Sequence, residues 1–212
     1  MEAGWFFNNV QDNIPFLLAL IPVIVIHELA HAVIALMLGD TTAKDDGRIT
    51  LNPLVHLDVI GTLMILFAGI GWAKPVMVNP HNLRYGKFGM ALVAFAGPLS
   101  NLILAYFFAV VTAVIINVAG YDNIMVDYFF NVIFITLMLG VLNMIPIPPL
   151  DGSKIIALAL PAGAYNRWVN GGWWSFIIII ALLYLGVIGR LLVPIALWLY
   201  DNLIWPVFVL LV

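Results

Sequence analysis

Between Ile14 and Leu38 the chain runs for 25 residues with a single charged side chain, Glu28. At 1.5 Å per residue, a helix of that length crosses the roughly 30 Å hydrocarbon core of a bilayer. Backbone in lipid must satisfy its own hydrogen bonds, so such a stretch has few options beyond a spanning helix. Four more long apolar stretches follow, at 88–119, 126–145, 173–187 and 191–212. Composition agrees: 64% of residues are hydrophobic and 9% charged, with mean hydropathy +1.11, where a soluble domain carries about 25% charged residues. The sequence therefore predicts an all-α polytopic membrane protein with about five transmembrane helices. One domain is expected over 1–212, with a core at about 14–160 and C-terminal helices at 173–212. The net charge of −3 comes without a basic run, which argues against a nucleic-acid partner. The chain has no cysteine, which excludes disulfides, thiol catalysis and a Cys-ligated metal.

One apolar piece is too short to span. From Val59 it offers about a dozen apolar residues before Gly69, Gly71, Lys74 and Pro75 interrupt it. This 59–79 element is expected to re-enter the same face, with "KPVMVN" (Lys74 to Asn79) as a short extended strand. Charge distribution supports that choice. With a re-entrant element, Lys44, Arg48, Lys74, Arg84, Lys87, Lys154 and Arg167 face one side and Arg190 the other, seven against one. A full crossing makes it five against three. The positive-inside rule favours the first, with the N-terminus outside and the C-terminus in the cytosol.

Within the first span lies "HELAH", His27 to His31. Ionisable groups at that depth are costly to bury unless they have a function that offsets the cost. His27 and His31 are four residues apart, so their imidazoles share one helical face. HExxH on a helix offers two metal ligands and a carboxylate, Glu28, able to take a proton from metal-bound water. Zinc lowers the pKa of such water to about 7, and neutral imidazoles on a cation are no longer stranded polar groups.

A tetrahedral catalytic site needs a third protein ligand and an open position. His56 and His81 both lie in polar, turn-rich loops where a solvated histidine is the default. Asp151, in "NMIPIPPLDGS" (Asn143 to Ser153), is the better candidate. Pro146, Pro148 and Pro149 stop the preceding helix and fix an extended approach. Asp-Gly then permits a turn that aims the carboxylate inward. The topology couples the two motifs: His31 stands about two turns before the cytosolic end of the first span, and under the re-entrant arrangement Asp151 also emerges there.

Together, "HELAH", "AGPLSN" (Ala96 to Asn101) and "NMIPIPPLDG" resemble the site-2 protease family of intramembrane zinc metalloproteases. "GRITLNPLVHLDVIGTL" and "GWAKPVMVN" resemble its small bacterial and archaeal branch, and no insert is long enough for a PDZ or CBS domain. The resemblance covers about residues 20 to 160 in order. It implies one zinc ion on His27, His31 and Asp151, with Glu28 as general base. It also implies polar positions near the site at Asn101 and Asn143, the latter able to stabilise an oxyanion or position substrate. Ala30 stands where the family often has Gly. The implied activity is hydrolysis of peptide bonds in or near transmembrane segments of membrane-protein substrates, in a prokaryotic cell membrane, from a site toward the cytosol. A substrate helix hides its own carbonyls and must unwind. The segment carrying Lys74, Val76 and Val78 could receive the unwound chain by β-augmentation. The alternative is a catalytically inactive metal- or helix-binding membrane protein, which would have no use for Glu28.

Overall fold

In the computed structural model, residues 10–68, 71–169 and 172–212 are described. The helices are α1 (Val10–Met37), α2 (Thr42–Asp45), α3 (Val59–Ala68), α4 (Lys87–Ala119) and α5 (Ile124–Asn143). After these come α6 (Asp151–Ile156), α7 (Ala162–Val169), α8 (Gly172–Tyr184), α9 (Val187–Leu199) and α10 (Trp205–Leu211). All-α architecture follows from the apolar runs, and four helices among the described residues are long and apolar enough to cross a membrane: Ile14–Met37, Lys87–Ala119, Ile124–Asn143 and Val187–Leu211. The expected count was about five. The difference lies at 173–187, where α8 has only 13 residues before Gly186 adopts a left-handed φ of 67° and ends it. Beyond it, α9 and α10 join through a π-helical turn at Tyr200–Ile204 into one apolar run.

Central α4 packs against both α1 and α5. Ala105, Ala109 and Ala113, four residues apart and fully buried, face α5 and the C-terminal helix. Small side chains let helix backbones approach closely where lipid gives no hydrophobic drive between them. Ala19 and Val23 of α1 meet Val132 of α5 in one cluster, while Val126, Ile133 and Leu137 of α5 meet Val207 and Phe208 of α10 in another.

The C-terminal helix runs opposite to the expected direction. Asn117, near the end of α4, donates through Nδ2 to the Leu211 carbonyl at 2.6 Å. At its other extremity, Ile188 and Leu192 of α9 pack on Leu142, Ile145 and Leu150. The C-terminus thus lies with the start of α1, not at the end expected for it. Arg190 accordingly joins the other seven cations. Lys44, Arg48, Lys74, Arg84, Lys87, Lys154, Arg167 and Arg190 are all eight of the chain's Lys and Arg, and all stand at the end where α1 finishes and α4 begins.

The 59–79 element differs in its second half. Helix α3 has 10 residues, about 15 Å at 1.5 Å per residue and half a hydrocarbon core. Residues 69 and 70 lie outside the described residues. From Gly71 the chain runs back against α3, and Leu57 bridges Ala73 in antiparallel sense. Two glycines permit the contact: a Cβ on Gly61 would stand 2.0 Å from the Trp72 carbonyl oxygen, and one on Gly71 2.0 Å from that of Gly61. The strand expected over Lys74–Asn79 is not formed, and no strand ladder occurs among the described residues. Pro75 has no N–H to give a ladder. The neighbouring backbone groups bond instead to His56, Arg48 and Glu28.

Candidate metal centre

His27 and His31 lie on the α1 face that meets α4, both below a tenth exposed. Their Nε2 atoms are 3.1 Å apart, with the rings edge to face at 89°. Asp151, the first residue of α6, brings Oδ2 to 3.2 Å from His27 Nε2 and 3.1 Å from His31 Nε2. Three buried ligand atoms therefore form a nearly equilateral triangle. Ligands at about 2.0 Å around a tetrahedral zinc stand roughly 3.3 Å from one another. Triangle and ion match in size as well as in donor type. Asp151 Oδ2 is buried without a hydrogen-bond partner among the described residues, and a cation at the triangle's centre would engage it.

Supporting contacts fix the triangle. His31 Nδ1 lies 2.7 Å from the Val93 carbonyl of α4. Donation there assigns the proton to Nδ1 and leaves the Nε2 lone pair free for a metal. Lys154 Nζ stands 3.2 Å from Asp151 Oδ1, the oxygen turned away from the histidines. Burial works against the charge on Asp151, and the field of Lys154 beside Oδ1 works for it. The carboxyl remains an anionic ligand.

Gly97, in "AGPLSN", is a position whose role the sequence did not disclose. A Cβ there would lie 2.5 Å from Cε1 of His27 and 2.5 Å from Nε2 of His31. The histidine pair packs directly on the α4 backbone, so this residue has to be glycine. Gly152 also departs from its expected role. It is helical within α6 and not part of a turn, and its bare Cα admits the Met144 carbonyl oxygen, 2.2 Å from where a Cβ would be.

Glu28 is half-buried and accepts from the Val76 amide at 2.8 Å. The Lys74–Asn79 segment thus lies over the carboxylate. Its far end is tied by Asp40, fully buried just beyond α1. Asp40 accepts from the Asn79 amide at 2.7 Å, Asn82 Nδ2 at 3.0 Å, and the Thr42 hydroxyl and amide at 2.6 and 3.2 Å. Burial opposes the charge of Asp40, but the Thr42 hydroxyl, with the Asn79, Asn82 and Thr42 N–H donors, outweighs it and holds the carboxyl below its ordinary value.

The other candidates fall in three places. Asn101 is fully buried on α4 beside Gly140, and neither of its amide atoms has a partner among the described residues. Asn143 donates through Nδ2 to the Leu139 carbonyl of its own helix at 3.0 Å. Lys74 is exposed, with Val76 and Val78 half-buried beside it. His81 is exposed, but His56 is not the solvated loop residue expected: it is fully buried, with Nε2 2.9 Å from the Thr50 carbonyl. Neither is part of the metal cluster.

The chain is similar to YwhC of Bacillus subtilis, whose name provisionally makes it a zinc metalloprotease. The two are 41% identical over 175 residues, which span 79% of this chain and 80% of that protein. Rip2 of Mycolicibacterium smegmatis, named in the same provisional terms, is 27% identical over 185 residues, 83% of this chain and 69% of that one. No family model matches the chain, and no solved structure does.

Proposed function

Because the chain belongs to the site-2 protease family of zinc metalloproteases, we propose that it hydrolyses peptide bonds within or beside the transmembrane segments of membrane-protein substrates. The observation that carries this reading is that Asp151 of α6 completes a triangle with His27 and His31, which stand with Glu28 on α1, a helix apolar enough to cross a membrane. His27, His31 and Asp151 would hold one zinc ion, which when bound supplies Lewis-acid activation of the attacking water and the scissile carbonyl. Glu28 accepts the proton of that water on its carboxylate. It then delivers the proton to the amine nitrogen as the C–N bond breaks.

Asn101, with both amide atoms unpartnered among the described residues, has the donor to bind a developing oxyanion or an unwound substrate carbonyl. Asn143 can do the same once it releases Leu139. At Met77 and Val78 the backbone amides have no protein partner among the described residues, which supports an unwound substrate pairing there. The short α3 with its returning segment supports a re-entrant element. Eight cations at the metal-site end and none at the other support placing that end in the cytosol of a prokaryotic cell.

Cleavage of a single-span model substrate in detergent, with and without chelator, tests the reading. Glu28→Gln should lose cleavage at full zinc content. Cleavage that survives chelation or that substitution would sink the proposal. A wild-type chain that binds zinc and cuts no such substrate would instead be an inactive metal-binding protein.

A further inference from the structure

Arg48 is 5% exposed, and no carboxylate lies within ion-pair reach of it among the described residues. A buried guanidinium without a counter-ion is costly and must find other acceptors. Arg48 spends its donors on carbonyls: Nη1 on that of Val55, Nη2 on Lys74 at 2.5 Å and on Pro75 at 2.7 Å. The last contact has a further property. The Pro75 carbonyl and the Val76 N–H belong to one peptide unit, which is planar and trans. Arg48 holds the oxygen of that unit, and its N–H donates to Glu28. The plane cannot rotate without losing one bond or the other. A cation on the oxygen also polarises the unit, which makes its N–H a stronger donor to an anion.

We propose that Arg48 is a positioning residue for Glu28, acting through the Pro75–Val76 peptide. It touches neither the ligand triangle nor the carboxylate. Pro75 explains why a guanidinium is needed, since this stretch cannot be pinned by a regular ladder at a residue without an N–H. Arg48 supplies what a neighbouring strand would, and a fork-shaped donor reaches several carbonyls at once where an ammonium cannot. The role attached to Glu28 rests on the proteolytic reading above; the holding of the peptide does not.

Two measurements on the zinc-loaded, full-length protein separate the claims. The first is kinetic. Arg48→Met should lower kcat about tenfold to a hundredfold, the scale of a lost hydrogen bond to a charged group. Zinc content should stay at one per chain and KM should change less than kcat. Arg48→Lys should recover part of the loss. Val76→Pro, which removes the N–H, should cost a similar factor, and adding either Arg48 substitution to it should cost nothing more. Additive losses, or loss of zinc in step with activity, would overturn the proposal. Should Arg48→Met fail to fold, Arg48→Lys against Val76→Pro carries the same cycle. The second measurement needs no substrate. The chain has no cysteine, so a nitroxide at Met77→Cys reports this segment alone. Its spectrum should shift to a more mobile form with Arg48→Met and less so with Arg48→Lys. An unchanged spectrum would overturn the proposal, whereas a wild-type chain that never cleaves would overturn only the proteolytic reading.

Discussion

Gly97 lies so close to His31 that a methyl group on its Cα would stand 2.5 Å from Nε2, the atom that faces Asp151. An overlap of that size with two imidazoles and a helix backbone cannot be absorbed by a small rotation, because His31 is also tied to the Val93 carbonyl. Gly97→Ala should therefore weaken zinc binding about tenfold to a hundredfold, the range seen when groups behind metal ligands are disturbed. Competition against a fluorescent chelator measures it. Undiminished affinity would mean that the helices yield where the packing says they cannot.

Asp151→Ala should lose zinc affinity and activity together, since it removes one corner of the ligand triangle. His81→Ala should keep both, because that side chain is exposed. His56→Ala should keep zinc but lower the unfolding midpoint. It leaves the Thr50 carbonyl without its partner, a loss of about 1–3 kcal/mol. Metal analysis and thermal unfolding of the three variants separate these outcomes; full zinc in Asp151→Ala would place the third ligand elsewhere.

Asp40 gives a pH signature outside the metal site. Its carboxyl is held below the ordinary value by its donors. The stability this adds is fully present above the unfolded pKa of about 3.9 and is lost as pH falls through the lower folded value. With zinc removed from both, wild type should lose stability below about pH 4 more steeply than Asp40→Asn. Parallel curves would show that the Asn79, Asn82 and Thr42 contacts do not favour the charged form.

Labelling of single cysteines with an impermeant thiol reagent in sealed vesicles tests the arrangement of spans. Cysteines at Thr42 and His81 should react from one side, and at Asn123 and Val212 from the other. His81 decides whether 59–79 re-enters, since it follows that element directly. Val212 decides the direction of the last span.

The parts of this protein that were legible in its sequence are those fixed by local spacing. A helix places residues four apart on one face whatever surrounds it, so His27 and His31 could be paired from their numbers alone. Apolar length marked the three spans at 14–37, 87–119 and 124–143 to within a few residues. What could not be read depends on contacts between distant segments. Gly97 stood in a stretch already singled out, yet only its approach to α1 explains why a side chain there is excluded. From the sequence Arg48 is only one of seven cations facing one side, and in the fold it is a buried clamp on a segment 26 residues away. The strand at 74–79 was inferred from residue type, but a strand needs a partner edge, and these backbone groups find side chains first. Arg190 and the C-terminus were misplaced by one error: α8 is apolar enough to span but stops after 13 residues at Gly186.

The gathering of every cation at one end of the bundle reaches beyond insertion. A bilayer polarised negative on that side does work on each charge, about 2.3 kcal/mol per 100 mV. Inverting the whole molecule against such a voltage would move each of the eight Lys and Arg uphill by that amount, and the carboxylates at the same end, Asp40, Asp45, Asp46 and Asp58 among them, downhill by as much. A voltage of that sign would resist inversion through the excess of cations over carboxylates at this end.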